Sequence, residues 1–351
     1  VNQVKLADVF IGGLGTFVPD VTAIEDAVGA GLADPEFAAT SGYTGAAVAG
    51  DLPPVEMALR ATRQALDRAG PAADRLAALF YVDNYDNGPI GWYPQSFLQR
   101  CAVGGDLLAA EVRQGCNGVL TAVELAGGYL MGLPGPSSVL IAAADNMSLP
   151  QINRWRCLSP DFIVGDGAAA LVLTRTPTFA EVLSASSLTV PELEGMHRGD
   201  EPLFPPGSST GADWDFARRI EDFYWRASND DGVSHLWLPL VKARAELIDR
   251  VLDEAGIAIT DVTRLVYNHA ARQHVEDGLL GVLGLPLSRS NWEFGRHLGH
   301  LGACDQVVSL DHMLTAGDLA PGDHVLMLGL SPGVNIAGAV VRIVDTPPWL
   351  R

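Results

Sequence analysis

Short apolar runs alternate with stretches of helical periodicity along almost the whole chain. In the first half, strands are expected at Val4–Ile11, Leu76–Val82, Leu107–Arg113 and Ser138–Ala144, with a turn and a further strand in Phe162–Thr174. The first of these opens into Gly12-Gly13-Leu14-Gly15. Between them, Pro54–Ala69 repeats alanines at helical spacing (Ala58, Ala61, Ala65, Ala69), and Pro94–Cys101 and Val119–Met131 also read as helices. The second half follows the same order. Helices are expected at Leu238–Ala255, Arg272–Leu283 and Asp305–Ala316, and strands at Val262–Tyr267, His324–Leu330 and Val334–Val344. Strands alternating with helices imply an α/β protein with a largely parallel sheet covered on both faces.

The repeated order suggests an internal duplication into two similar halves, 1–178 and 179–351, although no residue-by-residue repeat is visible. Pro191–Leu236 breaks the pattern. It holds a Pro- and Gly-rich stretch and then Trp214, Phe216, Phe223, Tyr224 and Trp225 among acidic residues. Excursions of this length in α/β enzymes are often binding loops or lids, and equally often solvated insertions; the aromatic density favours a substrate or partner surface.

Composition narrows the class. The chain has 351 residues, of which 48% are hydrophobic, enough for a large core. A formal charge of −19 disfavours nucleic acid and anionic membranes as partners. Cys101, Cys116, Cys157 and Cys304 lack the spacing of a disulfide framework or a zinc site, so no metal is expected. The first apolar stretch carries Asp8 and no basic leader, and no run approaches the roughly 20 apolar residues of a membrane span, so a cytoplasmic protein is expected.

Chemistry concentrates at Gln114-Gly115-Cys116-Asn117-Gly118, between an expected strand and an expected helix. A cysteine at such an elbow faces free backbone N–H groups and the positive end of the helix dipole, which favours the thiolate, and the flanking glycines let a substrate approach. A buried structural cysteine is the competing interpretation.

This segment resembles the nucleophile segment of the β-ketoacyl-acyl carrier protein synthase III group of the thiolase superfamily. Val164-Gly165-Asp166-Gly167-Ala168-Ala169-Ala170 is similar to that family's Gly-Asp-Gly turn. Trp92-Tyr93-Pro94-Gln95-Ser96 resembles the stretch before its nucleophile strand, and Leu330-Ser331-Pro332-Gly333-Val334 stands where the family has a glycine-rich loop. The resemblance implies a thiolase-like fold, five-layered αβαβα, with two pseudo-symmetric halves and usually a homodimer. It implies that Cys116 accepts an acyl group from a thioester, with the N–H groups of Cys116 and Gly333 holding the oxyanion. No bound cofactor is implied; acyl-CoA or an acyl-carrier protein is the donor. The family's early arginine pair for coenzyme A has no counterpart in Ser41–Val48, which leaves the carrier protein as a rival donor.

The chain departs from the family at two places. The family histidine aligns with His269, in Tyr267-Asn268-His269-Ala270, or with Asn268 after a one-residue slip. The family asparagine is replaced by His300, in Gly299-His300-Leu301-Gly302-Ala303-Cys304-Asp305, and Asp305 stands where the family has a small serine. A carboxylate there opposes the enolate of a decarboxylating condensation. Beside a histidine it makes a better general base toward a hydroxyl. The expectation is a Cys116–His269–Asp305 triad, with His300 and Asn268 at the substrate, and Asp305 as a plain helix starter the alternative.

This combination resembles the ketosynthase-like acyltransferase branch of antibiotic biosynthesis, which implies malonyl transfer without decarboxylation to a hydroxyl of a glycoside or polyketide acceptor. A malonyl carboxylate needs a cation, and Arg272 and Arg154 are the candidates. Decarboxylating condensation, an acyl shuttle between carrier proteins and an inactive partner subunit are the competing functions.

Overall fold

A computed structural model describes residues 5–351 apart from Asp86, Cys157, Ser159, Pro160 and 230–232. Among the described residues eleven strands form: β1 (Phe10–Phe17), β2 (Val21–Ala23), β3 (Gly45–Ala47), β4 (Leu76–Val82), β5 (Leu108–Val112), β6 (Ser138–Asp145), β7 (Gly167–Thr174), β8 (Ala180–Thr189), β9 (Val262–Val266), β10 (His324–Ser331) and β11 (Asn335–Ile343). Nine of them hydrogen-bond in the order β5-β4-β6-β7-β1-β8-β11-β10-β9, and β2 pairs with β3 separately. β4 runs parallel to β5 and β6, and β9 parallel to β10. The later hairpin pairs are antiparallel.

The order has an internal symmetry about the β1–β8 seam, where only Phe10↔Glu181 and Ile11↔Ala180 pair. On one side the five strands of residues 10–174 lie in the order third, second, fourth, fifth, first. On the other, the strands of residues 180–343 repeat it in mirror order, and the position equivalent to β5 is held by an isolated bridge, Leu265↔Ser290. The helices Gly118–Gly132 and Asp305–Ala316 pack between the two sheet halves. Pro54–Ala69 covers the outer face of one half and Val233–Ala255 that of the other. This is the five-layered thiolase-like α/β arrangement. Both central helices begin in the middle of the molecule, and that places their N-termini together.

β1 begins at Phe10 rather than Val4, which lies outside the described residues, and it runs through the glycines expected to end it. The reason is steric. A Cβ on Gly13 would lie 2.3 Å from the Ala65 carbonyl oxygen, and one on Gly15 would lie 2.1 Å from that of Ala61. The glycines therefore let the alanine face of Pro54–Ala69 seat its backbone directly on the strand, and Ala58, Ala61 and Ala65 are fully buried there. β8 had no counterpart among the expected strands. Its Ser184, Ser186 and Ser187 mask the apolar alternation, yet Ser184 is buried and donates to the Val251 carbonyl at 2.7 Å. Arg272–Leu283 is helical in three short pieces with a wide turn over Glu276–Leu280. Among the described residues no helix is long and apolar enough to cross a membrane.

The Gly15 contact sets a stability prediction. Gly15→Ala should lower the urea midpoint by an amount equivalent to about 1–3 kcal/mol, because the helix must move off the sheet. Gly132→Ala, where an added Cβ meets nothing within 4 Å, should be neutral or slightly stabilising in the same measurement.

Candidate active site

Cys116 sits in a tight turn, Gly115–Asn117, that leads from β5 into the helix Gly118–Gly132. Gly115 takes φ +54°, and a Cβ on it would lie 3.1 Å from both Ser331 and Pro332. The loop after β10 thus packs against the nucleophile turn. Buried Asn117 fixes this contact: its amide donates to the carbonyls of Gly329 (3.2 Å) and Asn335 (2.8 Å) and to the Asn335 side chain (3.0 Å). A Cβ on Gly118 would lie 2.3 Å from Val82, so glycine there lets the helix start close to β4.

The histidine comes from the other half. Two backbone hydrogen bonds join His300 to the segment 163–165, His300 N–H donating to the Ile163 carbonyl (2.8 Å) and Gly165 N–H to the His300 carbonyl (2.9 Å). The Gly-Asp-Gly turn therefore holds the His300 backbone. Asp166 in that turn is fully buried and accepts from the backbone of Ala49 and Met147, each at 2.7 Å, and from Arg154. His300 Nε2 lies 2.8 Å from Cys116 Sγ, and its Nδ1 lies 2.5 Å from Asp305 Oδ2. A carboxylate can only accept when ionised, so Nδ1 carries the proton and Nε2 is turned to the sulfur.

Asp305 is the first residue of its helix and is fully buried. It accepts from the N–H of Leu301 (2.8 Å), the N–H of His269 (2.9 Å) and the His300 ring. Burial pushes its carboxyl up, but the rings of His269 and His300 and these hydrogen bonds outweigh burial and hold it below the usual range. Burial likewise pushes the His300 imidazolium down. The facing Cys116 sulfur and the Asp305 carboxylate overcome that and hold its pKa well above the ordinary histidine value.

His269 does not reach the sulfur. Its Nδ1 lies 2.8 Å from the Gly299 carbonyl and its Nε2 2.9 Å from Ser309 Oγ, which also accepts from Asn291 at 2.9 Å. A carbonyl accepts only, so Nδ1–H donates to Gly299 and Nε2 accepts from the Ser309 hydroxyl: a neutral ring with both nitrogens used. Burial pushes its pKa down, in keeping with that state. The Asp305 Oδ1 at 3.2 Å from Nδ1 is a secondary contact. The Cys116–His269–Asp305 line expected from the sequence is thus corrected to Cys116–His300–Asp305, and His269 supports Asp305 from behind. Asn268 is buried, with Oδ1 accepting from the Leu330 N–H at 3.0 Å and its amide nitrogen without a hydrogen-bond partner among the described residues.

The two arginines expected to hold an acyl carboxylate are elsewhere. Arg154 is buried against Asp166 (3.0 Å) and the carbonyls of Ala47 and Val164, where it ties loops together. Arg272 is paired with Glu276 (3.0 Å) on the surface over the Trp292 ring. Neither lines the cavity of about 410 Å³ that opens onto Cys116, His300 and Pro332. Its arginines are Arg113 and Arg219, each held by carboxylates of this chain: Arg113 by Asp83 (3.2 Å) and Glu111 (2.8 Å), Arg219 by Glu201 (2.7 Å). Trp214 and Phe216, from the aromatic-rich excursion, line it as well. Gly333 follows Pro332 with φ +80°.

The profile of the 3-oxoacyl-[acyl-carrier-protein (ACP)] synthase III family matches residues 110–189, and the profile of its C-terminal region matches 252–343. A β-ketoacyl-[acyl-carrier-protein] synthase III of Streptomyces coelicolor is 27% identical over 291 residues, 82% of each chain. The solved structure of ChlB3, described as an acyltransferase, superimposes with a TM-score of 0.92 at 46% identity, covering 97% of this chain and 99% of that one. The 3-oxoacyl-[acyl-carrier-protein] synthase III of Aquifex aeolicus shares the fold at 18% identity, with a TM-score of 0.74 over 95% of this chain and 99% of its own.

The two histidines make opposite predictions. His300→Gln should slow acyl-adduct formation from an acyl thioester, followed by intact mass, by about 10²–10⁴-fold. His269→Gln, which keeps the Asp305 bond to the main chain, should slow it far less; the reverse ranking would restore His269 as the base.

Stability should also depend on pH through His300. Because its folded pKa is raised, its contribution is complete below the unfolded value of about 6.5 and is lost as pH rises through the folded value. The difference in thermal midpoint between wild type and His300→Gln should therefore narrow as the pH is raised.

Proposed function

From membership of the 3-oxoacyl-[acyl-carrier-protein] synthase III family, to which this chain belongs, we propose an acyltransferase that moves an acyl group from a thioester to a hydroxyl without losing carbon dioxide. The observation that carries this reading is the line Cys116–His300–Asp305, with Nε2 at 2.8 Å from the sulfur and Nδ1 at 2.5 Å from the carboxylate.

In the first step the Cys116 thiolate attacks the donor carbonyl, the C–S bond of the donor breaks, and the departing sulfur takes the proton of His300 Nε2. In the second, Nε2 takes the proton of the acceptor hydroxyl as its oxygen attacks the acyl carbon. Collapse of the tetrahedral intermediate expels the Cys116 thiolate and leaves His300 protonated beside it, as at the start. Asp305 keeps Nδ1 protonated and stabilises the imidazolium throughout. The N–H groups of Cys116 and Gly333 are the proposed oxyanion donors, supported by the packing of Ser331 and Pro332 against Gly115.

Condensation is disfavoured on charge. The enolate of a second thioester, formed in front of acylated Cys116, would develop negative charge near the ionised Asp305 carboxylate, which lies 2.5 Å behind the His300 ring and opposes it. A malonyl group is the finer reading, resting on resemblance to ketosynthase-like acyltransferases of antibiotic biosynthesis. Its carboxylate would have to share Arg113 or Arg219 with the acids that hold them. Acyl-CoA or an acyl-carrier protein serves as donor, a glycoside or polyketide alcohol as acceptor, and two copies of the chain form the working dimer.

Malonyl thioester labelled in its free carboxylate distinguishes the reactions. The expected result is a labelled adduct on wild-type protein, none on Cys116→Ala, and label carried into the ester of an added alcohol. Release of labelled carbon dioxide with a β-keto product would establish condensation instead, and label passed only to a carrier thiol would establish a shuttle.

A further inference from the structure

The excursion expected to be either a lid or a solvated insertion closes one side of the Cys116 cavity. The Trp214 backbone is anchored there by its main-chain N–H, which donates to the Gln151 carbonyl at 3.0 Å, and Phe216 begins the helix Phe216–Asn229. Tyr85, from the loop after β4, meets Trp214 edge to face at 5.7 Å and 87°, and Trp214 meets Phe216 at 6.0 Å and 62°. The Tyr85 hydroxyl is tied to the Asn146 carbonyl, so that ring is fixed from behind. All three rings are half-buried and line the cavity that holds Cys116. Gly207 and Ala212 line it too, leaving room in front of the rings.

The cations at this wall are engaged. Arg219 lies over the Phe216 ring at 5.3 Å and is paired with Glu201, and Arg113 is paired with Asp83 and Glu111. What the wall offers a substrate is therefore mainly aromatic faces and edges, which favour another flat ring in an offset or edge-on contact over a flexible chain.

We propose that Tyr85, Trp214 and Phe216 form a binding site for a planar aromatic group carried by a substrate of this enzyme. The proposal rests on the acyl-transfer reading for its place in the reaction, and it deepens that reading by naming the substrate class. The ring belongs either to the acyl group on Cys116 or to the acceptor.

Two measurements on the full chain separate these sources. The first compares adduct formation from S-benzoyl- and S-acetyl-N-acetylcysteamine by intact mass, in wild type, Trp214→Leu and Phe216→Leu. An aromatic acyl group predicts that each variant lowers the benzoyl rate about tenfold more than the acetyl rate. The second measures binding of 2-naphthol and cyclohexanol by calorimetry to Cys116→Ala protein and to the same protein with each wall substitution. An aromatic acceptor predicts that naphthol binds better than cyclohexanol and that either substitution weakens it about tenfold, with cyclohexanol changing much less. Benzoyl-to-acetyl and naphthol-to-cyclohexanol ratios that both stay within about twofold of the unsubstituted protein would overturn the proposal. If no thioester acylates Cys116, the acyl-transfer reading fails, while calorimetry still reports on the wall. Two variants at different rings, each checked by circular dichroism, keep a misfolded one from deciding the outcome.

Discussion

A carboxylate sealed from water must be matched by donors, or it takes up a proton and ceases to be a charge. Asp305 is matched by the main-chain N–H groups of Leu301 and His269 and by the His300 ring, and it lies at the positive end of its own helix. Two segments of the second half, the end of the β9 loop at His269 and the turn at His300-Leu301, thus converge on one side chain. Once Asp305 is ionised, the His300 ring can only present its Nδ1–H to it, and Nε2 is left facing the sulfur. The tautomer at the reacting end is a consequence of how the carboxylate is buried.

The nucleophile is brought to that histidine by the duplicated architecture. Gly118–Gly132 and Asp305–Ala316 lie between the sheet halves, and each starts near the middle of the molecule. Cys116 stands at the head of one and Asp305 at the head of the other. Glycine permits this closeness: Gly118 clears Val82, and Gly302, at φ +61°, clears the buried Asp145, whose carboxylate would lie 2.3 Å from an added Cβ. Asn117, tied to Gly329 and Asn335, locks the first helix to the last hairpin. Neither contact is apparent from periodicity, because both depend on where distant loops meet.

Much of the frame was legible. Pro54–Ala69, Leu76–Val82 and Asp305–Ala316 follow the bounds expected from alanine spacing, apolar runs and an acidic helix start. Cys116 was legible too, because an elbow between glycines leaves a local mark. The identity of the base was not. His269 and His300 are both buried and both touch Asp305, and sequence position at a strand end does not reveal what a ring nitrogen meets. The Gly299 carbonyl and Ser309 hydroxyl capture His269, and they lie 30 and 40 residues away along the chain. Arg154 misled for a related reason. An arginine near a family motif can serve the motif itself, and this one neutralises Asp166 and two loop carbonyls.

On the resemblance, His300 stands where condensing members have an asparagine, and the two side chains differ in more than one donor. An amide cannot take a proton at neutral pH, so in a condensing site it can only stabilise charge that the substrate develops. An imidazole in line with a carboxylate both takes and returns a proton, which suits an attacking hydroxyl whose O–H must be broken as the ester forms. On the transfer proposed above, selection among acceptors falls to the walls of the cavity. In this chain the walls bear two occupied arginines and three aromatic rings. The excursion 191–236, which supplies Trp214, Phe216 and Arg219, lies outside both matched regions of the family profile. Cys116, His300 and Asp305 therefore sit in the regions shared with the family, and one wall of the cavity in front of them sits in the part that interrupts it.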